Sequence, residues 1–296
     1  MPGPDGEART LVLDAAGQRV PTPYDVFGTG PSQALLLPAL SSISTRAEMA
    51  GLARALSFDH RCIVPDWPGF GARDRDRVPL APPLLHAFLD ALIAALPGPY
   101  AMGVAAGHAA FYLAAAAARH PGIFGRLVLV APTWRGPLPT VMGAGRRPLF
   151  RALRRAVETP LLGEMLYRAN ISRPVIGRMM RAHVYADPAN VTARVVAEKH
   201  AVTRRRGGRF GTAAFVTGGL DPVETREDFL ALWSGDLPPV TLLRPAGAPR
   251  RSGAEMDALA DALLAGGQAP SVTVPGALAP HEEHPAAVAA AIGLAP

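Results

Sequence analysis

The chain has 296 residues, of which 49% are hydrophobic and 18% are charged. That composition excludes a disordered protein, because it supplies ample apolar side chains for a core. The 30 glycines and 31 prolines follow no period, which excludes collagen-like and coiled-coil architectures. Chains of about 250–300 residues form one large α/β domain, with or without a cap, or two smaller domains.

Cysteine content and the first residues indicate the compartment. The single cysteine, Cys62, has no internal disulfide partner, which is typical of proteins in a reducing compartment. The first residues show no basic stretch followed by an apolar one, so no signal peptide is visible. The longest apolar run, at residues 114–118, is too short to span a bilayer. We therefore expect a soluble, cytoplasmic protein.

Short apolar segments and helical repeats alternate along the first 130 residues. The predicted strands lie at residues 10–14, 19–20, 33–37, 61–65, 100–103 and 125–130. Helical spacing of apolar residues predicts helices at 45–56, 84–96 and 107–119. Two further strands, at 239–243 and 271–274, precede a last helix from Pro285. This alternation predicts an α/β fold, a mostly parallel twisted sheet with helices on both faces.

The alternation stops after Pro132. Residues 135–220 contain no predicted strand and four helical stretches, at 149–157, 162–170, 176–183 and 191–200. A helical insertion within a parallel sheet is typical of a lid. We therefore divide the chain into an α/β core, residues 1–134 and 221–296, and a helical, arginine-rich lid, residues 135–220.

The net charge of +6 is distributed unevenly. Between residues 135 and 209, 15 arginines and Lys199 outnumber four acidic residues, a net charge of +12, whereas the remainder has 14 basic and 20 acidic residues. The helix predicted at 149–157 carries both arginines and apolar residues, so its surface favours an anionic partner. Such a partner is a membrane surface or a substrate with a carboxylate or phosphate. The alternative is a solvated arginine face. No nucleic-acid-binding module is recognisable, so no nucleic acid partner is expected.

Three short motifs follow one another along the chain: Asp66-Trp-Pro-Gly-Phe-Gly71, Gly103-Val-Ala-Ala-Gly107 and His281-Glu-Glu-His-Pro285. In this order they resemble the Asp-x-Pro-Gly-x-Gly loop, the nucleophile elbow Gly-x-Ser-x-Gly and the histidine segment of lidded α/β-hydrolases. That group includes esterases, epoxide hydrolases and haloalkane dehalogenases. The resemblance covers nearly the whole chain and implies an α/β-hydrolase fold with a helical lid.

The resemblance implies a nucleophile between the two glycines of the elbow, where this chain has Ala105. A methyl group has no nucleophilic atom, so no acyl-enzyme forms at that position. Either Ala105 replaces a serine, or the protein is a natural relative without acyl chemistry. Epoxide hydrolase and dehalogenase activities do not fit, because they require Asp at this position.

The other triad positions also depart from the family pattern. The acid after the seventh predicted strand falls on Ala248, and the alternative after the sixth falls near Thr133. Asp221 is either a displaced acid or the cap of a helix predicted at 223–232. The family position of the histidine, around Leu278, holds none. His281 is therefore the candidate general base, or else a solvated histidine at the start of a helix.

Two backbone N–H groups form the oxyanion hole of the family. On this chain the resemblance assigns them to Ala106, after the nucleophile position, and to Leu40, in the loop after the third strand.

Four further residues are candidates for substrate binding. Ser41 follows the oxyanion loop, where it either binds substrate or caps the next helix. Trp134 and Arg135 lead into the lid, where they line a pocket and meet an anionic group, or form a rigid hinge. His108 either points towards the His281 loop or is a buried histidine with satisfied hydrogen bonds.

We interpret the chain as a serine hydrolase acting on an ester, thioester or related acyl compound, inactivated by a Ser→Ala replacement at position 105. Its partner is then a small, hydrophobic substrate, either anionic or uncharged. The alternative is a natural pseudo-hydrolase that binds a hydrophobic anionic ligand or a partner. Proton transfer by His281 or His108 alone is a third hypothesis. No cofactor and no metal is expected, because the sequence has no clustered His and Cys and no phosphate-binding loop.

Overall fold

An eight-stranded sheet forms the centre of the protein in the computed structural model, which describes residues 6–96 and 98–294. The strands are β1 (Glu7–Ala15), β2 (Gln18–Phe27), β3 (Ser32–Leu37), β4 (His60–Pro65), β5 (Met102–Ala106), β6 (Leu127–Val130), β7 (Val240–Pro245) and β8 (Val272–Val274). They lie side by side in the order β1-β2-β4-β3-β5-β6-β7-β8. Each predicted strand overlaps an observed one.

Strand direction divides the sheet into two parts. β1 pairs antiparallel with β2, and β2 with β4, whereas β4, β3, β5, β6, β7 and β8 are parallel. A tight turn joins β1 to β2 at Ala16 and Gly17, both with positive φ, as two-residue hairpins require. Parallel neighbours need long crossovers, which the helices supply. The predicted α/β fold with a mostly parallel sheet is confirmed.

Thirteen helices are described. They are α1 (Ala50–Leu56), α2 (Pro82–Ala95), α3 (Ala109–Arg119), α4 (Pro137–Met142), α5 (Arg147–Glu158), α6 (Leu162–Asn170), α7 (Arg173–Met179), α8 (Ala193–Thr203), α9 (Gly208–Val216), α10 (Arg226–Ala231), α11 (Arg250–Ala265), α12 (Pro280–Glu283) and α13 (Pro285–Leu294). Short 3₁₀ helices lie at Arg46–Met49, Ala144–Arg146, Pro188–Asn190 and Leu232–Ser234, and a π-helical turn at Met180–Val184. α11 lies outside the predicted elements, although Met256, Leu259 and Leu263 recur at helical spacing.

The sheet has a hydrophobic core on each face. Leu35, Ala105 and Leu129 point towards α2, α3 and α11, and they belong to one buried cluster. Alternate residues such as Leu36 and Val128 point the other way, towards α1 and α13. Because successive strand residues face opposite sides, the central strands are apolar at every position.

The regular secondary structure of the described chain between β6 and β7 consists of helices, as predicted. It packs on loops at the carboxyl ends of the strands, where Ile43 and Ala279 share a buried cluster with Tyr185. The N–H groups of Leu278 and Ala279 also donate to carbonyl oxygens of the π-helical turn, at 3.3 and 3.0 Å. This helical insertion therefore lies against the edge of the sheet at which α/β proteins bind ligands. The domain boundaries and the lid function remain predictions.

Asp66 joins two loops at the carboxyl edge. Its carboxylate accepts hydrogen bonds from the backbone N–H of Arg46 at 2.8 Å and from Nη1 of Arg46 at 2.6 Å. Burial raises the pKa of Asp66, and the bonds from Arg46 only partly offset it. A Cβ at Gly71 would lie 2.5 Å from Asp66 Oδ2, so the glycine makes room for the carboxylate.

Replacing Arg46 tests this connection. We expect Arg46→Ala to lower the free energy of unfolding by about 3 kcal/mol, because it leaves the buried Asp66 carboxylate without its cation. Urea unfolding followed by circular dichroism measures the change. Arg19→Ala, at an exposed position of β2, is the control and should change stability by less than about 0.5 kcal/mol. Equal effects of the two substitutions would contradict the role of Arg46.

Candidate active site

The turn between β5 and α3 is where the sequence predicted a nucleophile. β5 ends at Ala106, and the residue that adopts positive φ, at +52°, is Gly107. Ala105 lies inside β5, paired with Leu37 and Leu129, and its side chain is fully buried in the core. The assignment of Ala105 to the nucleophile position is therefore wrong, since the turn comes two residues later.

Gly107 stands between two loops. A Cβ built on Gly107 would lie 3.3 Å from the Cβ of Ala39, in the loop after β3, and 3.7 Å from Oγ1 of Thr133, in the loop after β6. The N–H of Thr133 also donates to the carbonyl oxygen of Gly107 at 3.1 Å. A side chain at this position would enter the space between the loops, but glycine has none.

Two sequence features explain the error. The residues around the turn read Ala105-Ala-Gly107-His-Ala109, which lacks the flanking glycines of the elbow motif. Gly103 and Gly107 have the spacing of those glycines. The motif match therefore assigned the turn to residue 105, two residues before its observed position. Counting back from α3, whose N-cap is His108, places the turn correctly.

The oxyanion assignment of Ala106 is also wrong. Ala106 is the last residue of β5, pairs with Val130, and is fully buried. The residue after the turn is His108, the N-cap of α3, and the family pattern would assign its N–H to the oxyanion hole. Leu40 is buried beside Ala39, whose N–H donates to Oε1 of Glu48 at 2.6 Å. The role of Leu40 as the second donor remains a prediction.

His281 contacts Glu48. Its side chain is completely buried in α12, and Nε2 lies 3.3 Å from the Glu48 oxygen that accepts the Ala39 N–H. Burial raises the pKa of Glu48, but His281 and Lys199 outweigh burial and hold it below the ordinary value. His281 is thus attached to the loop after β3, and its carboxylate partner is Glu48 rather than the predicted Asp221.

Asp221 contacts the other histidine. Its Oδ1 lies 3.3 Å from Nε2 of His108 and accepts the Gly136 N–H at 2.7 Å. Nδ1 of His108 faces Oγ1 of Thr133 at 3.4 Å. The capping role weighed for Asp221 is wrong, because Thr225 caps α10. The structure therefore brings His108 and Asp221 together, a pair that the sequence did not predict.

A cavity of about 240 Å³ lies near the chain that follows β6, and Thr133 is the contact of His108 that lines it. Its lining comprises Thr133, Trp134, Arg135, Thr140, Arg226, Arg251, Ser252, Ala254 and Glu255. Two of the predicted substrate-binding residues, Trp134 and Arg135, are thus in its wall. Ser41 is not, and its hydroxyl instead pairs with that of Ser44 at 2.7 Å.

Cationic groups outnumber anionic ones in this arginine-lined cavity. Arg226 pairs with Glu255 at 3.2 Å, and the Glu255 carboxylate also accepts a hydrogen bond from the indole N–H of Trp134. Arg251 donates to the carbonyl oxygens of residues 140 and 141. The Arg135 guanidinium lies 4.0 Å from the centre of the Trp134 ring, and its buried Nε has no hydrogen-bond partner within the described structure. The arrangement suits an anion with an apolar part.

The helical insertion also has an exposed apolar surface. Of the thirteen large hydrophobic residues that are exposed in the described structure, nine lie between 141 and 175: Val141, Met142, Leu149, Leu153, Leu161, Leu162, Met165, Leu166 and Val175. Exposed arginines lie among them, at positions 146, 151, 155, 168 and 173. We call this set the apolar–arginine surface. Within the described ranges, no helix is long and apolar enough to cross a membrane.

Solved structures share the fold. Cfl2 from Burkholderia cenocepacia is 21% identical, with a TM-score of 0.73 over 98% of this chain and 95% of that one. An esterase from Thermogutta terrifontis is 18% identical, with a TM-score of 0.67 over 97% of each chain. The thioesterase domain from the curacin biosynthetic pathway is 15% identical, with a TM-score of 0.65 over 98% and 99%.

Sequence comparison identifies the family. No curated protein matches the chain significantly. The sequence profile described as the alpha/beta hydrolase family, however, matches residues 34–291, most of the chain. With the eight-stranded sheet and the order of its motifs, this match shows that the protein is a member of the α/β-hydrolase family.

Proposed function

We propose that this chain binds a small anionic molecule in the arginine-lined cavity and forms no acyl-enzyme at the strand–helix turn. One observation carries the proposal: the turn residue, Gly107, has no side chain and therefore no nucleophilic atom. This is the pseudo-hydrolase alternative of the sequence analysis. A Ser→Ala replacement at position 105 loses its support, because a residue buried within β5 does not reach a substrate.

The wall of the cavity defines the ligand. Arg135 supplies a charge with no carboxylate partner in the described structure, and its guanidinium is held against the ring of the buried Trp134. The volume, about 240 Å³, admits only a small ligand. The helical insertion acts as a lid over this edge of the sheet, and the cytoplasm is the proposed location.

An active hydrolase acting on an ester, thioester or related acyl compound is the second candidate. An esterase and a thioesterase domain are among the structural neighbours, which favours it. It requires a nucleophile from outside the turn.

The apolar–arginine surface supports a peripheral contact with an anionic membrane. Apolar side chains insert between lipids while arginines meet the phosphates, and both kinds are exposed on α5 and α6. Two residues of this surface, Leu161 and Met165, are 83% and 70% exposed.

Arg135 tests the ligand proposal. We expect Arg135→Gln to weaken the binding of succinate roughly 10- to 100-fold, since a hydrogen bond to a charged group contributes about 1.5–3 kcal/mol. Isothermal titration calorimetry with succinate, and with uncharged succinamide, measures the effect. Arg19→Gln, exposed and remote from the cavity, should bind as the unmodified chain does. Equal binding of succinate and succinamide would refute an anion site.

A matched pair of serine substitutions tests the position of the turn. We expect Ala105→Ser to remain unlabelled by a fluorophosphonate probe and to lose about 1–3 kcal/mol of stability, because its hydroxyl is buried in the core. Gly107→Ser places the hydroxyl between the two loops. If either serine reacts with the fluorophosphonate probe, we expect it to be the one at position 107. Mass spectrometry locates the adduct. Labelling of Ser at position 105 would contradict the structure-based assignment.

Vesicle sedimentation tests the membrane contact. We expect the chain to sediment with phosphatidylglycerol vesicles and not with phosphatidylcholine vesicles. Leu161→Ser combined with Met165→Ser should lower binding at least roughly tenfold, because each exposed side chain loses its burial in lipid. Leu264→Ser, on α11 and 56% exposed, is the matched control. Binding that survives the double substitution would exclude this surface.

A further inference from the structure

The contacts of His108 point to a nucleophile outside the strand–helix turn. We propose that Thr133, activated by His108 and Asp221, attacks an acyl compound held in the arginine-lined cavity. This inference rests on the ligand site proposed above and adds covalent chemistry to it.

Three groups follow one another in the order that a nucleophilic relay requires. The Asp221 carboxylate lies 3.3 Å from Nε2 of His108, and Nδ1 of the same ring lies 3.4 Å from the Thr133 hydroxyl. Nε2 has no hydrogen-bond partner in the described structure, but a carboxylate only accepts, so we assign the proton to Nε2, which leaves the lone pair of Nδ1 towards the hydroxyl. The separation of 3.4 Å is long for a hydrogen bond, as is common in catalytic pairs before substrate binds.

Neighbouring bonds hold all three groups. The N–H of Thr133 donates to Gly107, next to His108, and the N–H of Gly136 donates to Asp221 at 2.7 Å. The Tyr112 hydroxyl donates to the carbonyl oxygen of Leu220, which fixes the chain beside Asp221. His108 is 1% exposed and the Asp221 side chain 10% exposed, so water does not compete for the proton.

Thr133 is the member of the relay that lines the cavity. Thr133 is partly exposed and lines the cavity together with Arg135. Its Oγ1 is also 3.7 Å from where the Cβ of residue 107 would be, so it stands beside the place where a serine at the turn would act.

The reaction is an acyl transfer. Oγ1 of Thr133 bonds to the acyl carbon, its proton passes to Nδ1 of His108, and the bond from the acyl carbon to the leaving group breaks. For a p-nitrophenyl ester the leaving group departs as p-nitrophenolate. The imidazolium then gives its proton to the released phenolate or to water, which makes His108 neutral again. Water attacks the acyl-threonine and passes one proton to Nδ1 of His108, the bond from the acyl carbon to Oγ1 breaks, and Nδ1 returns the proton to Oγ1 as the acid is released.

Mono-p-nitrophenyl succinate is the probe, because it joins an acyl group to a free carboxylate. We expect a burst of p-nitrophenolate and a succinyl group on Thr133, located by peptide mass spectrometry. Thr133→Ala abolishes both, Thr133→Ser retains them, and His108→Gln slows acylation at least roughly 100-fold. The exposed Thr273→Ala is the control substitution and leaves the burst unchanged.

Each outcome decides between the two proposals. Folding of every variant is checked by circular dichroism. If His108→Gln unfolds, the comparison of acylation in Thr133→Ser and Thr133→Ala still tests the proposal. A folded chain that binds succinate but carries no acyl group on Thr133, or carries it elsewhere, overturns the relay and leaves the binding function intact. Acylation of Thr133 by p-nitrophenyl butyrate and by the succinate ester at equal rates, without succinate binding, supports the relay and overturns the anion site.

Discussion

Burial of β5 on both faces is the constraint on which the site depends. Met102–Ala106 is the central parallel strand, and its side chains pack alternately into the two cores. A strand buried on both sides cannot turn until it leaves the sheet, so the chain turns after Ala106 and Gly107 takes the positive φ. Everything around the turn follows: Ala39 and Thr133 flank it, and α3 begins with His108 behind it.

Two imidazole–carboxylate pairs stand on opposite sides of this turn. His281 and Glu48 are attached to the loop after β3, through the N–H of Ala39. His108 and Asp221 face the loop after β6. Both imidazoles are buried, but His108 contacts Thr133, which lines the arginine-lined cavity. Because His108 contacts a residue of the cavity wall, the proposed acyl transfer is assigned to the His108–Asp221 pair.

The arginines of the helical insertion have different roles. Arg154 pairs with Glu158 and donates to the carbonyl oxygen of Leu80, so it attaches α5 to the core. Arg209 similarly pairs with Glu164 across two helices. Others, such as Arg151, are exposed beside exposed leucines. Some arginines of the helical insertion thus form structural ion pairs, whereas others belong to a surface available to an anionic partner.

The sequence by itself determined the strands, the parallel sheet and the helical insertion, because hydrophobic periodicity and strand–helix alternation are local properties. It also identified Trp134 and Arg135, which line the cavity. Only the tertiary structure decided the turn residue and the partners of the histidines. Gly103 and Gly107 match a local motif, but the register of β5 against β3 and β6 depends on contacts far away in the sequence. His108 and Asp221 are separated by more than a hundred residues, and no local pattern indicates which distant carboxylate a buried imidazole will meet.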